Sequence, residues 1–87
     1  MKNDNKTPES TNPETVPFEE YLVKVAVGKS IPGLNVRTGP GVSDPVLRVI
    51  ENGDEHVILE EFDNEDGSKW GKIGETEWIN LFYTEKL

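Results

Sequence analysis

The sequence predicts a small all-β barrel, and three features of the chain support that fold class. Short valine-rich segments alternate apolar and polar residues, which is the period of a strand with one buried face. Turn signals separate these segments at close spacing, and no stretch keeps a helical apolar period. Because the chain has only 87 residues, of which 33% are hydrophobic, we expect one domain with a modest core.

Alternation defines the first two strands. Residues 22–27 alternate and are rich in valine, a residue common in strands. In the next strand Leu34 and Val36 are predicted to face the core. Asn35 and Arg37, which stand between and after them, are predicted to face solvent.

Turn residues set the limits of the next two strands. Gly39-Pro40-Gly41 must turn the chain, because proline fixes φ and lacks a donor while glycine tolerates positive φ. A strand over residues 46–50 follows it. Asn52-Gly53 is the strongest hairpin signal in the chain, and it leads into a strand over residues 56–62.

Large aromatic rings are concentrated at the end of the chain. After a predicted polar loop at residues 63–67, strands over residues 70–73 and 78–81 flank a tight turn near Gly74. Tyr83 comes close to the last residue. These elements complete an all-β domain that we place at residues 21–87.

Residues 1–20 are predicted to be a flexible tail or an interdomain linker. Met1–Pro17 contains three of the six prolines and only Val16 as an aliphatic residue. Such a stretch buries too little apolar surface to offset the entropy of ordering it. A tail of this kind suggests that the domain is tethered to something else.

Composition excludes several classes of partner. A net charge of -8, from 9 basic and 17 acidic residues, repels nucleic acid and anionic membranes. With no cysteine the chain has no disulfide, no thiolate nucleophile and no zinc site built on sulfur. The first residues lack the apolar segment of a signal peptide, so we expect other sequence or cell lysis to carry the domain out of a cell if it is exported.

The catalytic inventory is small. His56 is the single histidine, and we expect it to be a partly buried strand residue. No nucleophile–base motif accompanies it. Residues 63–67 do not fit a calcium loop, and Gly39-x-Gly41 lacks the third glycine of a dinucleotide fingerprint. We therefore predict no enzyme activity, no metal site and no cofactor.

Two blocks of sequence resemble one known family. Leu34–Gly53, LNVRTGPGVSDPVLRVIENG, is similar to the opening of bacterial SH3 (SH3b) domains, and WGKIGETEWINLFYTEKL is similar to their closing part. The resemblance covers about residues 21–87. Two departures stand out: Glu77 occupies the place where the family usually has a glycine before the second tryptophan, and the turn between the two tryptophan strands is short.

The resemblance implies an SH3-like barrel that acts as a non-catalytic, wall-targeting module. Such domains occur in peptidoglycan hydrolases, phage endolysins and surface proteins. The implied partner is peptidoglycan, through its stem or cross-bridge peptide, with a linked catalytic domain in the same polypeptide. We expect a monomer that works outside the cell or in the cell wall, delivered by a parent polypeptide or released on lysis. The alternative is a protein–protein adaptor that binds an extended peptide of a partner.

The two outward residues of the second strand are candidate ligand contacts. Asn35 is suited to hydrogen bonds with a peptide backbone, and Arg37 is suited to a bidentate contact with a carboxylate. The structural alternative for Arg37 is that it pairs with one of the many acidic residues and holds the following loop.

Three rings are the other candidates, because so small a barrel cannot bury every large side chain. Trp70 and Tyr83 correspond best to groove positions of the SH3 fold, and Trp78 is included with them as ligand-binding. Shallow aromatic grooves suit extended peptides or sugars. Core packing is the alternative for Trp78, and a half-buried ring that closes the barrel is the alternative for Tyr83.

Overall fold

Strands make up almost all the regular structure that the computed structural model describes, which is residues 18–87. Besides strands this part of the chain contains a short 3₁₀ helix, Leu81–Tyr83. In chain order the strands are β1 Tyr21–Val25, β2 Leu34–Arg37, β3 Val46–Ile50, β4 Glu55–Ile58, β5 Glu60–Asp63, β6 Lys69–Gly74, β7 Glu77–Asn80 and β8 Thr84–Lys86. The predicted tail lies mostly outside the described residues, and β1 begins at the predicted domain start.

The strands form two antiparallel sheets. One has the order β4-β1-β8 and the other the order β3-β2-β7-β6-β5. Between β4 and β5 the chain passes from the first sheet to the second at Leu59, whose N–H donates to the Lys72 carbonyl at 2.8 Å. The all-β fold class is confirmed, and the two sheets do not close into a continuously hydrogen-bonded barrel.

The structure changes the predicted strands in three places. The predicted strand 56–62 is divided at Leu59, because its two halves belong to different sheets. Asn52-Gly53 forms a turn, with Gly53 at φ 93°, but the predicted hairpin is wrong. The Val25 N–H donates to the Asp54 carbonyl, and the Val25 carbonyl accepts from the Gly53 N–H, at 2.8 Å each. Strand β4 then pairs with β1 and not with β3. Strand β8 was not predicted.

Aliphatic side chains from both sheets form the core. The buried cluster consists of Val23, Val25, Leu34, Val36, Ile50, Ile58 and Ile79. Leu34 and Val36 face inward and Asn35 faces solvent, as the alternation predicted. Burying each such side chain contributes about 1.5–3 kcal/mol. His56 is partly buried on β4, as expected, and among the described residues its Nε2 has no hydrogen-bond partner.

A tyrosine links the two sheets near the crossing point. The Tyr21 hydroxyl on β1 donates to the Glu61 carboxylate on β5. The Lys86 ammonium lies 4.6 Å from the centroid of the Tyr21 ring. Partial burial, and then the hydrogen bond and negative charge of Glu61, raise the pKa of Tyr21 to about 12.

Gly33→Ala should destabilise the domain. A Cβ at Gly33 would collide with the Ile50 carbonyl oxygen and would lie 2.6 Å from Val49 Cγ1, so β3 would have to move away from the chain entering β2. We expect a loss of about 1–3 kcal/mol in the free energy of unfolding, measured by urea denaturation. Gly28→Ala is the matched control, because a Cβ there meets nothing within 4 Å. Equal stability of the two variants would contradict this packing.

Tyr21→Phe should change the alkaline stability profile. The unfolded-state pKa is close to the ordinary 10.0 and the folded-state pKa is about 12, so the folded state keeps the proton longer. The contribution of Tyr21 to stability is therefore complete below pH 10.0 and is lost as the pH rises toward about 12. Urea unfolding on both sides of this interval should show a smaller loss in Tyr21→Phe than in the wild type. Thr76→Ala, an exposed change without a titratable group, is the control and should keep the wild-type slope. Identical slopes in wild type and Tyr21→Phe would refute the contact.

Candidate binding cleft

The β2–β3 loop, residues 38–45, folds over the outer face of the five-stranded sheet. At its base Thr38 N–H donates to the Pro45 carbonyl at 3.0 Å. Across the sheet, Asn64 Nδ2 donates to the Pro40 carbonyl at 2.8 Å and ties the loop to the β5–β6 connection. The first bond closes the base of the loop, and the second attaches its first half to the β5–β6 connection.

Close packing, and not an unusual backbone angle, explains the glycine that opens this loop. Within the described residues the positive φ angles at glycine occur at Gly53 and Gly67, so the expected use of positive φ in the loop is wrong. A Cβ at Gly39 would instead lie 2.6 Å from Asp44 Oδ2. The loop is tight because the Asp44 carboxylate packs against the Gly39 backbone.

A cleft of about 240 Å³ lies beside this loop. Its apolar walls include Ile31, which precedes β2, and Val42 of the loop. Two side-chain amides, those of Asn35 and Asn80, also line it. Asn35 alternates with core residues of β2, and Asn80 follows the buried Ile79 of β7, so both amides lie on the outer face of the sheet.

Arg37 brings a positive charge into the cleft. Its half-buried side chain donates from Nη1 to the Asp44 carbonyl at 2.9 Å. Among the described residues no carboxylate lies within salt-bridge distance of this guanidinium, whereas Arg48 on the next strand pairs with Glu77 at 2.5 Å. Arg37 therefore holds the loop, as the structural alternative expected, but through a carbonyl, and its charge is not neutralised there.

Trp70 is a wall of the cleft and not an exposed platform. Its side chain is 2% exposed, and its Nε1 donates to Ser68 Oγ at 2.9 Å. It pairs with Asn80 across β6 and β7 and lies outside the aliphatic core cluster. The expectation that this ring is exposed in a groove is wrong, because the residue is buried on the outer face beside the loop. Its contact with a ligand stays a prediction.

Tyr83 combines both roles that were considered for it. The half-buried ring packs against the aliphatic core and also lines the cleft. Phe82, which is largely exposed, stands edge-on to it with the ring centroids 5.1 Å apart. Asn35, Arg37, Trp70 and Tyr83 are thus brought together at one cleft.

Trp78 is the one predicted site residue that does not line the cleft. It pairs with Lys72, whose ammonium lies 5.7 Å from the centroid of its ring, and it stands edge-on to Phe62 at 6.5 Å. The residue is partly exposed and belongs neither to the cleft lining nor to the core cluster. The core alternative is therefore wrong for Trp78. It is the cross-strand partner of Arg37 and so is adjacent to the cleft without lining it, and its binding role stays a prediction.

Sequence reasoning missed Asn80, Ile31 and Val42. A signal existed for Asn80, which stands two residues after Trp78 and so faces the same side of β7. Its Oδ1 also accepts from Phe82 N–H at 3.0 Å and caps the 3₁₀ helix. No periodic pattern could have selected Ile31 and Val42, because both lie in irregular segments.

The described part of the chain offers no alternative site based on a metal. Within residues 18–87, no three His, Asp or Glu side chains are placed to hold an ion. Over the same range no helix has the length and apolar character needed to cross a membrane.

Comparison with known families gives a match. Residues 32–82 match the family model described as the bacterial SH3 domain, which spans more than half of the chain and includes β2 through β7. Comparison with curated proteins found no match, and comparison with solved structures found none. The family match and the observed sheets agree with the resemblance carried by the LNVRTGPG block and the two tryptophan strands. The chain belongs to the bacterial SH3 domain family.

Proposed function

We propose that this domain is a non-catalytic module that binds the stem or cross-bridge peptide of peptidoglycan and keeps a linked hydrolase at the cell wall. Bacterial SH3 domains are binding modules, often for the cell wall, and this chain belongs to that family. The proposed place of action is outside the cell or in the wall, reached through a parent polypeptide or by lysis.

The cleft beside the β2–β3 loop is the observation that carries the proposal. It combines two side-chain amides, one cation and apolar walls, which are the groups that an extended peptide needs for its backbone, its charge and its side chains. Because the cleft lies on the outside of the sheet, it suits a long ligand that passes over the surface better than a compact substrate that must be enclosed.

Targeting requires no chemistry from the module itself. A tethered binding domain raises the effective concentration of its neighbour at the wall. The single histidine supports this view, since His56 lies on β4 and is not among the residues that line the cleft. Bacterial SH3 domains are generally non-catalytic.

An adaptor function is the second candidate, and one surface favours it. Strand β3 is an edge of the five-stranded sheet and exposes Val46, Leu47 and Val49. An edge strand with free backbone groups is suited to pairing with an extended segment of a partner protein.

Sacculus binding tests the wall-binding proposal. The whole chain should pull down with Gram-positive sacculi stripped of teichoic acid, and the binding should fall when an endopeptidase has removed the peptides. Asn35→Ala should bind about 3- to 10-fold more weakly, since one hydrogen bond contributes about 0.5–1.5 kcal/mol. Thr76→Ala, an exposed change in the β6–β7 turn, is the control and should bind normally. Equal binding to intact and digested sacculi would remove the peptide as ligand.

The domain alone should not clear cell walls. Turbidity and zymogram assays from acid to neutral pH should show no hydrolysis, because no nucleophile–base pair or metal site lies at the cleft among residues 18–87. Clearing that disappears on mutation of a single Asp or Glu would establish a catalytic function in its place.

A further inference from the structure

We infer that the cleft takes the free carboxyl end of an extended peptide, with the terminal carboxylate on the Arg37 guanidinium. This inference rests on the proposed function for the source of the peptide. Its chemistry, a terminal carboxylate preceded by small or aliphatic residues, is inferred from the cleft itself.

Charge is the first argument. The protein carries a net charge of -8, and of the described residues that line the cleft only Arg37 bears a formal charge at neutral pH. An acidic domain repels anions over most of its surface. A ligand carboxylate therefore finds a favourable partner at Arg37, while the half-buried guanidinium gains a counter-charge that the described part of the chain does not supply.

The hydrogen bond to the loop orients Arg37 and uses only one of its N–H donors. Nη1 donates to the Asp44 carbonyl, and a guanidinium has five N–H donors in a fixed planar fork. The remaining donors of Arg37 lie in a group whose position is already set. Because Arg37 is already held, binding of a carboxylate costs little additional entropy of the Arg37 side chain, which favours a bidentate contact.

The position of Arg37 along the cleft favours a chain end over an internal residue. Arg37 is the last residue of β2, and the β2–β3 loop leaves the sheet directly after it, closed by the Thr38–Pro45 bond. The loop then crosses to Asn64. A peptide that reaches Arg37 along the outer face meets the base of the loop, so the chain is best accommodated if it ends there.

The rest of the cleft fits the residues that precede such a terminus. The amides of Asn35 and Asn80 can each donate to and accept from a peptide backbone. Ile31, Val42 and Tyr83 provide apolar walls in a volume of about 240 Å³, which favours small or aliphatic side chains.

Three peptides test the inference by ¹⁵N NMR titration of the whole chain. The probes are N-acetyl-Ala-Ala-Ala as the free acid, the same peptide as the C-terminal amide, and N-acetyl-Ala-Asp-Ala-amide, which carries only an internal carboxylate. The free acid should shift the side-chain signals of Asn35, Asn80 and Trp70 Nε1–H. The other two peptides should bind about 10-fold more weakly or worse, because they lack a charge-assisted contact at the chain end.

Variants separate a carboxylate contact from a structural role of Arg37. Arg37→Gln should bring the affinities for the free acid and the amide to the same value, and any loss of loop anchoring should lower both together. Arg37→Lys should keep a reduced preference for the acid. Arg48→Gln is the matched control, because it removes an arginine on the neighbouring strand that is outside the cleft lining and paired with Glu77. A purely structural Arg37 would weaken acid and amide equally in Arg37→Gln.

Each remaining outcome decides the question. Equal affinity for acid and amide, or no binding of any probe, overturns the inference. Binding of N-acetyl-Ala-Asp-Ala-amide as tightly as the free acid overturns it in favour of a side-chain carboxylate. If the wild-type chain does not bind sacculi but clearly prefers the free acid, the proposed wall function is refuted and the inference stands. If the chain binds sacculi but shows no preference for the free acid, the inference is refuted and the proposed wall function stands.

Discussion

The attachment of the β2–β3 loop to the outer face of the five-stranded sheet is the interaction on which the rest of the site depends. Arg37 donates to the Asp44 carbonyl in the second half of the loop at 2.9 Å, and Asn64 donates to the Pro40 carbonyl in its first half at 2.8 Å. Both acceptors are backbone groups, so the loop is fixed in shape as well as in place. The attached loop contributes Val42 to the cleft lining, which also includes Trp70 of the sheet.

This attachment explains how a domain with a modest core can carry a defined site. The core cluster occupies the space between the two sheets, whereas the cleft is built largely from outer-face residues of the larger sheet and shares only Leu34 with the cluster. Trp70 is buried there beside the loop and bonded to Ser68, so the outer face has a small packed layer of its own. The site is therefore built mostly outside the core, and a ligand meets a surface that is already ordered.

The hydrogen bond from Arg37 to the Asp44 carbonyl has two consequences. It anchors the loop with a neutral carbonyl partner and so keeps its positive charge within an acidic domain. Arg48 shows the contrasting case, since its pairing with Glu77 neutralises it. Sequence reasoning placed Arg37 outward and considered a loop-holding role for it. Neither alternation nor composition could identify its partner as a backbone carbonyl, because every residue has one and residue type does not indicate which is used.

The sequence by itself determined the all-β class, the inward and outward residues of β2 and the extent of β2 and β3, because these follow from alternation between close turn signals. It also carried the family resemblance, through contiguous blocks of residues. Only the tertiary structure decided that Asn52-Gly53 joins two different sheets, that Trp70 is buried and that Trp78 does not line the cleft. Periodicity reports which face of a strand a residue occupies. Whether a loop from elsewhere in the chain covers that face is set by long-range contacts, such as that between Pro40 and Asn64.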